Sequence, residues 1–420
     1  MTDSSAARPR TPVEAAPPGL PSPWHTAERE ALQKQAREFA HREVLPVANE
    51  LDPQRAEMPR SLIDKMGELG YFGLTVPREH GGLGLGVFEY CMVTEELARA
   101  WMSVASIIAR AQGMGTAVAD PRRREDLLRR SARGAWIGAA ALSEPDAGSD
   151  LAGVRTTVER RGDRLVLHGH KRWCGNALAA DFIQVLCRER DPEPGEPRSA
   201  GLRTVLVEKE PGRFPPGLTG TPIDKIGYHG FLTWDLTFDG VEVPAGDLVD
   251  PVGAGQDADA GKPGRSTFST IQRGLNVARV QTAARAVGLA RAAVEDTTTY
   301  LQHRHQFGHP IADFQSLRFT LADMATQVEQ ARAHYRQVAH LIDEGEPAER
   351  ESAMVKLAAS EMAVRVTNSA MQLHGGNGYT TEQQVERHWR DARLTTIFEG
   401  TSEIQRRIIS DRLLPRSPLG

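Results

Sequence analysis

The sequence predicts an α+β multidomain chain in which two helical regions flank a central run of strands, and three observations carry that prediction. Apolar residues recur at helical spacing from Ala27 to about Gly134, change to short strand-like runs between Trp136 and Val249, and return to long helical spacing from Thr270 to Leu413. Gly, Asp and Pro turns separate the short runs. At 420 residues the chain is long enough for two or three domains with interior to spare for a large ligand.

The first 23 residues hold Pro9, Pro12, Pro17, Pro18, Pro21 and Pro23 and few large apolar groups, which predicts a disordered tail at 1–23. They lack the apolar core of a secretory signal. An N-terminal all-α domain follows over 24–135, where Leu62, Ile63, Met66 and Leu69, and later Val93 and Leu97, keep helical spacing between Gly and Pro breaks. Gly81-Gly-Leu-Gly-Leu-Gly86 does not fit Gly-x-Gly-x-x-Gly and lacks a strand–helix setting, so it reads as a structural turn and not a dinucleotide loop. The most apolar run, Ser103 to Ala119, is broken by Arg110 and Gln112 and falls short of the roughly 20 uncharged residues of a membrane span.

Strands are expected at Val154 to Val158, Arg164 to His168, Phe182 to Cys187, Thr204 to Val207 and Leu236 to Phe238, making 136–250 a mainly antiparallel β-domain. Residues 251–266, rich in Gly, Asp and Ala, read as a flexible link. A C-terminal helical domain completes the chain over 267–420. No internal repeat of about 20 to 50 residues is present.

Lys plus Arg number 51 against 55 Asp plus Glu, a formal charge of −4, so no basic field points to nucleic acid. Arg122-Arg-Arg124 reads as a solvated helix face. Cys91, Cys174 and Cys187 form no Cys-x-x-Cys pair and suit a reducing, cytoplasmic compartment. His303, His305 and His309 have no accompanying acidic or thiol ligand set, and no metal is expected there.

The chemistry centres on Glu399 in Arg393-Leu-Thr-Thr-Ile-Phe-Glu399-Gly-Thr-Ser-Glu-Ile-Gln405. An acid between an apolar pair and a Gly-Thr-Ser turn sits where burial can raise its pKa, and a partly desolvated carboxylate is a useful general base. Ser402-Glu403-Ile404-Gln405 reads as a capping box, which starts a helix at Ser402 and holds Glu399 in the loop ahead of it. Taken alone, the segment fits a solvated loop acid as well.

Two longer stretches supply context. Ala141-Leu-Ser-Glu-Pro-Asp-Ala-Gly-Ser-Asp-Leu-Ala-Gly153 closely resembles the first signature of the acyl-CoA dehydrogenase family, and Gln372-Leu-His-Gly-Gly-Asn-Gly-Tyr379, running on to Glu382, Arg387 and Asp391, resembles the second. Similarity of this type extends from about Glu28 to Ile409. The resemblance implies the family's three-domain fold, with a four-helix-bundle-like C-terminal α-domain, and FAD as cofactor. It also implies a mechanism in which a carboxylate takes the α-proton of an acyl thioester while the β-hydrogen leaves as hydride to flavin N5, a reaction that demands pre-alignment of base, substrate and flavin.

The resemblance places the base at Glu399. Some relatives draw it instead from the helix holding Leu275-Asn-Val-Ala-Arg279, but the position before Arg279 is Ala278. Arg279 matches an arginine near the base, and Ser149, Arg279 and Gly400 are the implied substrate contacts, a backbone N–H beside the base being one donor to the thioester oxygen. Leu142, Ser143, Gly148 and Ser149 would run along the flavin ring, and Trp173 in Lys171-Arg-Trp-Cys-Gly-Asn176 would cover it. Arg304 in Arg304-His-Gln-Phe-Gly308 matches an arginine that reaches the pyrophosphate from a neighbouring subunit, with Phe307 and Gln315 as further contacts. Gln372, Gly375 and Gly376 match a glycine turn against the dinucleotide, and Thr401 and Glu403 match positions after the base that touch FAD. A homotetramer or homodimer is implied, with electron-transfer flavoprotein as a partner.

Two features depart from the family. Gly175 stands where many relatives place Ser or Thr to bond flavin N5, and Asp250 to Arg265 is longer and more polar than usual. They leave room for an unusual thioester, on coenzyme A or on an acyl carrier protein, and for a flavin-dependent oxidase or monooxygenase of secondary metabolism. A non-catalytic FAD- or acyl-binding protein is the remaining reading.

Overall fold

The computed structural model describes residues 24–249 and 267–414, so the expected tail at 1–23 and link at 251–266 lie outside the described residues. Helix α1 (Ala27–Phe39) starts at Thr26, whose hydroxyl accepts from the Arg29 N–H, and runs through a wider turn into α2 (Leu45–Leu51). Then come α3 (Arg60–Glu68), α4 (Val87–Ala100), α5 (Met102–Ile107) and α6 (Pro121–Ala132), the last with Asp120 as cap and Pro121 at its first position. The apolar run from Ser103 is thus a short helix and a loop, and no described helix is long and apolar enough to cross a membrane.

The middle region is one sheet built from β1 (Gly138–Ala141), β2 (Thr157–Arg161), β3 (Arg164–Gly175), β4 (Phe182–Arg188), β5 (Leu202–Glu208), β6 (Leu218–Pro222), β7 (Thr233–Pro244) and β8 (Leu248–Val249). The strand order is β6-β7-β3-β2-β4-β5-β8, with β1 beside β4. Pairing is antiparallel except for β1 with β4 and a single β2–β4 contact. The expected strand at Val154 begins at Thr157 instead, because the Glu144 carboxylate accepts from the backbone N–H groups of Arg155 (2.7 Å) and Thr156 (2.8 Å). Strands β1, β6 and β8 were not expected. β1 is Gly-Ala-Ala-Ala, β6 is an edge strand ending in Pro, and β8 has two residues, so none carries the alternation of large apolar residues that marks a half-buried strand.

Beyond the sheet, α7 (Thr267–His303) leads through a hairpin of β9 (His305–Gln306) and β10 (His309–Pro310) to α8 (Gln315–Asp343) and α9 (Glu349–Leu373), then α10 (Gln384–Thr395) and α11 (Ser402–Leu413). Helix α7 is the common partner, packing on α4, α8, α9 and α10. It comes so close to α4 that a Cβ on Gly288 would lie 2.5 Å from the Glu95 carbonyl oxygen.

One loop ties the three regions together. The Tyr228 N–H donates to Asp391 of α10 (2.6 Å), the Met58 N–H donates to the Gly230 carbonyl (3.0 Å), and Ser103 of α5 donates to the His229 carbonyl. Arg390 of α10 in turn holds Asp52 at 2.7 Å. Arg123, expected on a solvated face, instead pairs with Glu208 and with Asp247 (2.6 Å) of the β region.

Candidate active site

Glu399 lies in the reversal between α10 and α11. Its backbone is left-handed, with φ of 53°, a conformation that costs a side-chain-bearing residue about 1–3 kcal/mol and persists only where its surroundings enforce it. The enforcement is visible. The buried Gln405 amide donates to the carbonyls of Glu399 (3.3 Å) and Gly400 (2.9 Å), and the Lys356 ammonium of α9 donates to the Gly400 carbonyl at 2.6 Å. The helix begins at Ser402 as expected, but its cap is one residue earlier: Thr401 accepts from the Ile404 N–H (3.3 Å). Glu399 is half-buried, not a fully solvated loop acid.

Cations surround this turn. Arg279 and Arg285 of α7 and Lys356 all feel the charge of Glu399, and burial works against the charged form of each. Burial pushes Lys356 down to about 8 despite the carboxylate. Arg279 is 6% exposed and Arg285 is 3% exposed, so Arg279 is no surface helix arginine. Arg285 lies 4.7 Å from the centre of the Phe398 ring and donates to Ser106 (2.9 Å) and Thr282 (2.8 Å), while Arg279 donates to Asn276 (2.7 Å). The phenols of Tyr90 and Tyr228, both raised by burial, complete the apolar lining.

Sequence reasoning found Glu399 and Arg279 but missed Arg285, Lys356, Tyr90 and Tyr228. A signal was present for Arg285: Arg279, Thr282 and Arg285 repeat every three residues on a helix otherwise lined by Val280, Ala283, Ala284 and Val287, which stacks polar groups on one face.

A second group sits on the β region. A bulge in β3 between Lys171 and Cys174 turns Trp173 outward, with φ of 67° and 55% of its surface exposed. The Arg172 N–H donates to the Ser143 carbonyl (2.9 Å), and the buried Lys171 ammonium bonds both the Leu142 carbonyl (2.8 Å) and Glu144 (2.9 Å). The segment from Leu142 is thereby fixed beside Trp173. Gly148 and Ser149 are exposed, with open space beside Gly148. Gly175 is buried, and a Cβ there would lie 2.2 Å from Cε1 of the buried Phe231 ring. Phe231 therefore fills the space that a Ser or Thr side chain at position 175 would need.

The remaining candidates lie elsewhere. Arg304, Phe307, Gln315, Gln372, Gly375, Gly376 and Glu403 are exposed, Phe307 at 88% and with φ of 55°. Tyr300 joins the end of α7 to the Gly375 turn by stacking on His374 at 4.2 Å, donating to its carbonyl (3.1 Å) and accepting from Asn377 (3.0 Å). Gly375, at φ of 58°, closes α9 after His374, and open space lies beside Gly375 and Gly376. Arg304 follows the end of α7 at His303, which is about 36 Å along the helix from Arg279 at 1.5 Å per residue. One chain thus does not bring Arg304 and Phe307 to its own Glu399. Bare rings at Trp173 and Phe307, with open glycine backbone at Gly148, Gly375 and Gly376, fit a large planar cofactor with a phosphate-bearing tail.

Family models for the acyl-CoA dehydrogenase N-terminal, middle and C-terminal domains match residues 26–135, 139–241 and 268–414. The chain belongs to the acyl-CoA dehydrogenase family. An acyl-CoA dehydrogenase of Bacillus subtilis (strain 168) is 37% identical over 394 residues, covering 93% of this chain and 98% of that protein. The structure of butyryl-CoA dehydrogenase from Megasphaera elsdenii is similar with a TM-score of 0.82 at 32% identity, over 93% of this chain and 99% of the other. That of the prolyl acyl carrier protein oxidase AnaB is similar with a TM-score of 0.81 at 26% identity, over 93% and 100%. As an acyl-CoA dehydrogenase family member the chain is an FAD-dependent oxidoreductase acting on the CH–CH bond of acyl thioesters.

Proposed function

We propose that Glu399 takes the α-proton of the acyl thioester during α,β-dehydrogenation. The observation that carries this is the enforced left-handed turn, which aims one half-buried carboxylate from between Phe398 and Gly400 into a lining of Arg279, Arg285, Tyr90 and Tyr228. FAD bound beside it would supply the acceptor for the β-hydrogen, which leaves as hydride. The Gly400 N–H and Arg279 oppose the negative charge that grows on the thioester oxygen as the proton leaves, and Ser149 flanks the substrate. Lys356 and Gln405 act as positioning residues through the Gly400 carbonyl.

Leu142, Ser143, Gly148, Ser149, Trp173 and Gly175 would hold the flavin ring, and Thr401 and Glu403 would border it. Arg304, Phe307 and Gln315 come from a second copy of the chain, with Gln372, Gly375 and Gly376 against the dinucleotide. The span of α7 supports this division and with it a homodimer or homotetramer. The same reading divides the chain into helical, β and helical domains at 24–135, 136–250 and 267–420. We place the enzyme in the cytoplasm with electron-transfer flavoprotein as oxidant, and coenzyme A or an acyl carrier protein as the thioester carrier. Family membership favours this over the oxidase or monooxygenase alternative.

Glu399→Gln is expected to keep its flavin absorbance and to lose about 10²–10⁴-fold in the rate at which an acyl thioester bleaches the flavin without oxygen. An unchanged rate removes Glu399 from the mechanism. A parent enzyme that no acyl thioester bleaches would point to the non-catalytic reading.

A further inference from the structure

Arg285, beside Glu399, and Arg110 have no carboxylate paired with them among the described residues. Arg285 is 3% exposed, bonds only the neutral hydroxyls of Ser106 and Thr282, leaves its Nε without a partner, and forms no ion pair among the described residues. Arg110 is half-buried, rests 5.6 Å from the centre of the Phe231 ring, and its buried Nε also lacks a partner. A line of rings joins the two: the Phe231 ring beside Arg110 has its centre 5.0 Å from that of Tyr228, which in turn lies 6.2 Å from Phe398, the ring that Arg285 stands over. A guanidinium cannot shed its proton to escape burial, and burying it unpaired costs several kcal/mol. Two other buried arginines of this protein are matched: Arg291 holds Glu95 at 2.8 Å and Glu96 at 2.5 Å, and Arg332 holds Glu95 at 3.0 Å.

The charge missing beside Arg285 is negative, and the ligand that enters here is the acyl group. We infer that the substrate is a short acyl thioester whose far end carries a carboxylate, received by Arg285 and Arg110. The inference rests on the dehydrogenation reading above and adds the substrate class. Arg285 lies against Phe398, the residue next to the base, so few carbons separate the carbon being deprotonated from the terminal carboxylate. A guanidinium fork matches a carboxylate in two parallel hydrogen bonds, which a neutral methyl end cannot make. The hydroxyls of Tyr90 and Tyr228 border the same space and add donors without adding competing negative charge. Glu399 does not substitute for the missing anion, because its backbone is pinned and it forms no ion pair with either arginine.

The test uses the holoenzyme without oxygen, titrated with glutaryl-CoA and with valeryl-CoA, which has as many carbons but a neutral end. Flavin bleaching is expected at about 10-fold or more lower concentration of glutaryl-CoA. Arg285→Met is expected to reduce that preference about 10-fold or more, and Arg110→Met, at a half-buried site with no side-chain hydrogen bond among the described residues, to reduce it in the same direction. Equal half-bleaching concentrations in the parent, or a preference unmoved by both substitutions, overturn the carboxylate pocket. The two readings fail separately. Bleaching by valeryl-CoA without a preference for glutaryl-CoA keeps the dehydrogenation and discards the pocket, whereas Arg285-dependent binding of glutaryl-CoA without bleaching does the reverse.

Discussion

Two buried clusters share helix α7 and differ in how their charges balance. Around Glu95 and Glu96 of α4, Arg37, Arg291 and Arg332 meet carboxylates at ion-pair distance, with Gln33 and Tyr335 taking further lone pairs. Burial opposes the charged form of both acids, and the facing arginines outweigh it, so both carboxyls sit below the usual range. Around Glu399, by contrast, Arg279, Arg285 and Lys356 crowd one carboxylate that pairs directly with none of them. A balanced cluster fixes helices against each other. An unbalanced one keeps a vacancy of charge that a reactant can fill, and its burial costs stability that the balanced cluster helps to offset.

The balanced cluster should be the more sensitive to truncation. Glu96→Ala leaves Arg291 buried beside one acid fewer and is expected to cost about 3–5 kcal/mol in urea unfolding. A cost under about 1 kcal/mol would erase the distinction between the clusters. Because the folded carboxyl titrates below its ordinary value of 4.5, this contribution is present above that value and fades as acid is added through the folded value.

The unbalanced cluster should respond to alkali. Folded Lys356 releases its proton near 8, whereas the unfolded chain holds it to about 10.5, so this residue favours folding more as pH rises through that window. Relative to Lys356→Met, the parent is expected to gain up to about 3 kcal/mol between those limits, read as the difference in unfolding free energy at each end. A flat difference would mean that the ammonium is not held in a desolvated site.

The smallest effect concerns Gly175→Ser. The added side chain meets Phe231 and is expected to cost about 1–3 kcal/mol, while the same change in a Phe231→Ala background costs less than the two single changes predict together. Additive costs would show that the two positions do not compete for space.

The architecture was legible because long helices and alternating strands write their period into the sequence. The elements that escaped, β1, β6 and β8, are specified by neighbouring strands and not by their own residues. At the candidate site the sequence marked Glu399, since an acid beside Gly-Thr-Ser is locally unusual, and Arg279 through its motif. It did not mark Lys356 or Tyr228, whose importance comes from packing across α9 and the 228–231 loop onto a turn far away in the chain. Gly175 was visible as a departure, but its cause, Phe231, lies 56 residues on and emerges from contact alone.

That contact imposes an order on change. A lineage acquiring a hydroxyl at position 175 while Phe231 remains must pass through a strained protein, whereas shrinking the ring first opens a route through tolerable sequences. The ring thus acts as a historical lock, and anyone engineering this flavin environment has to turn it before the glycine.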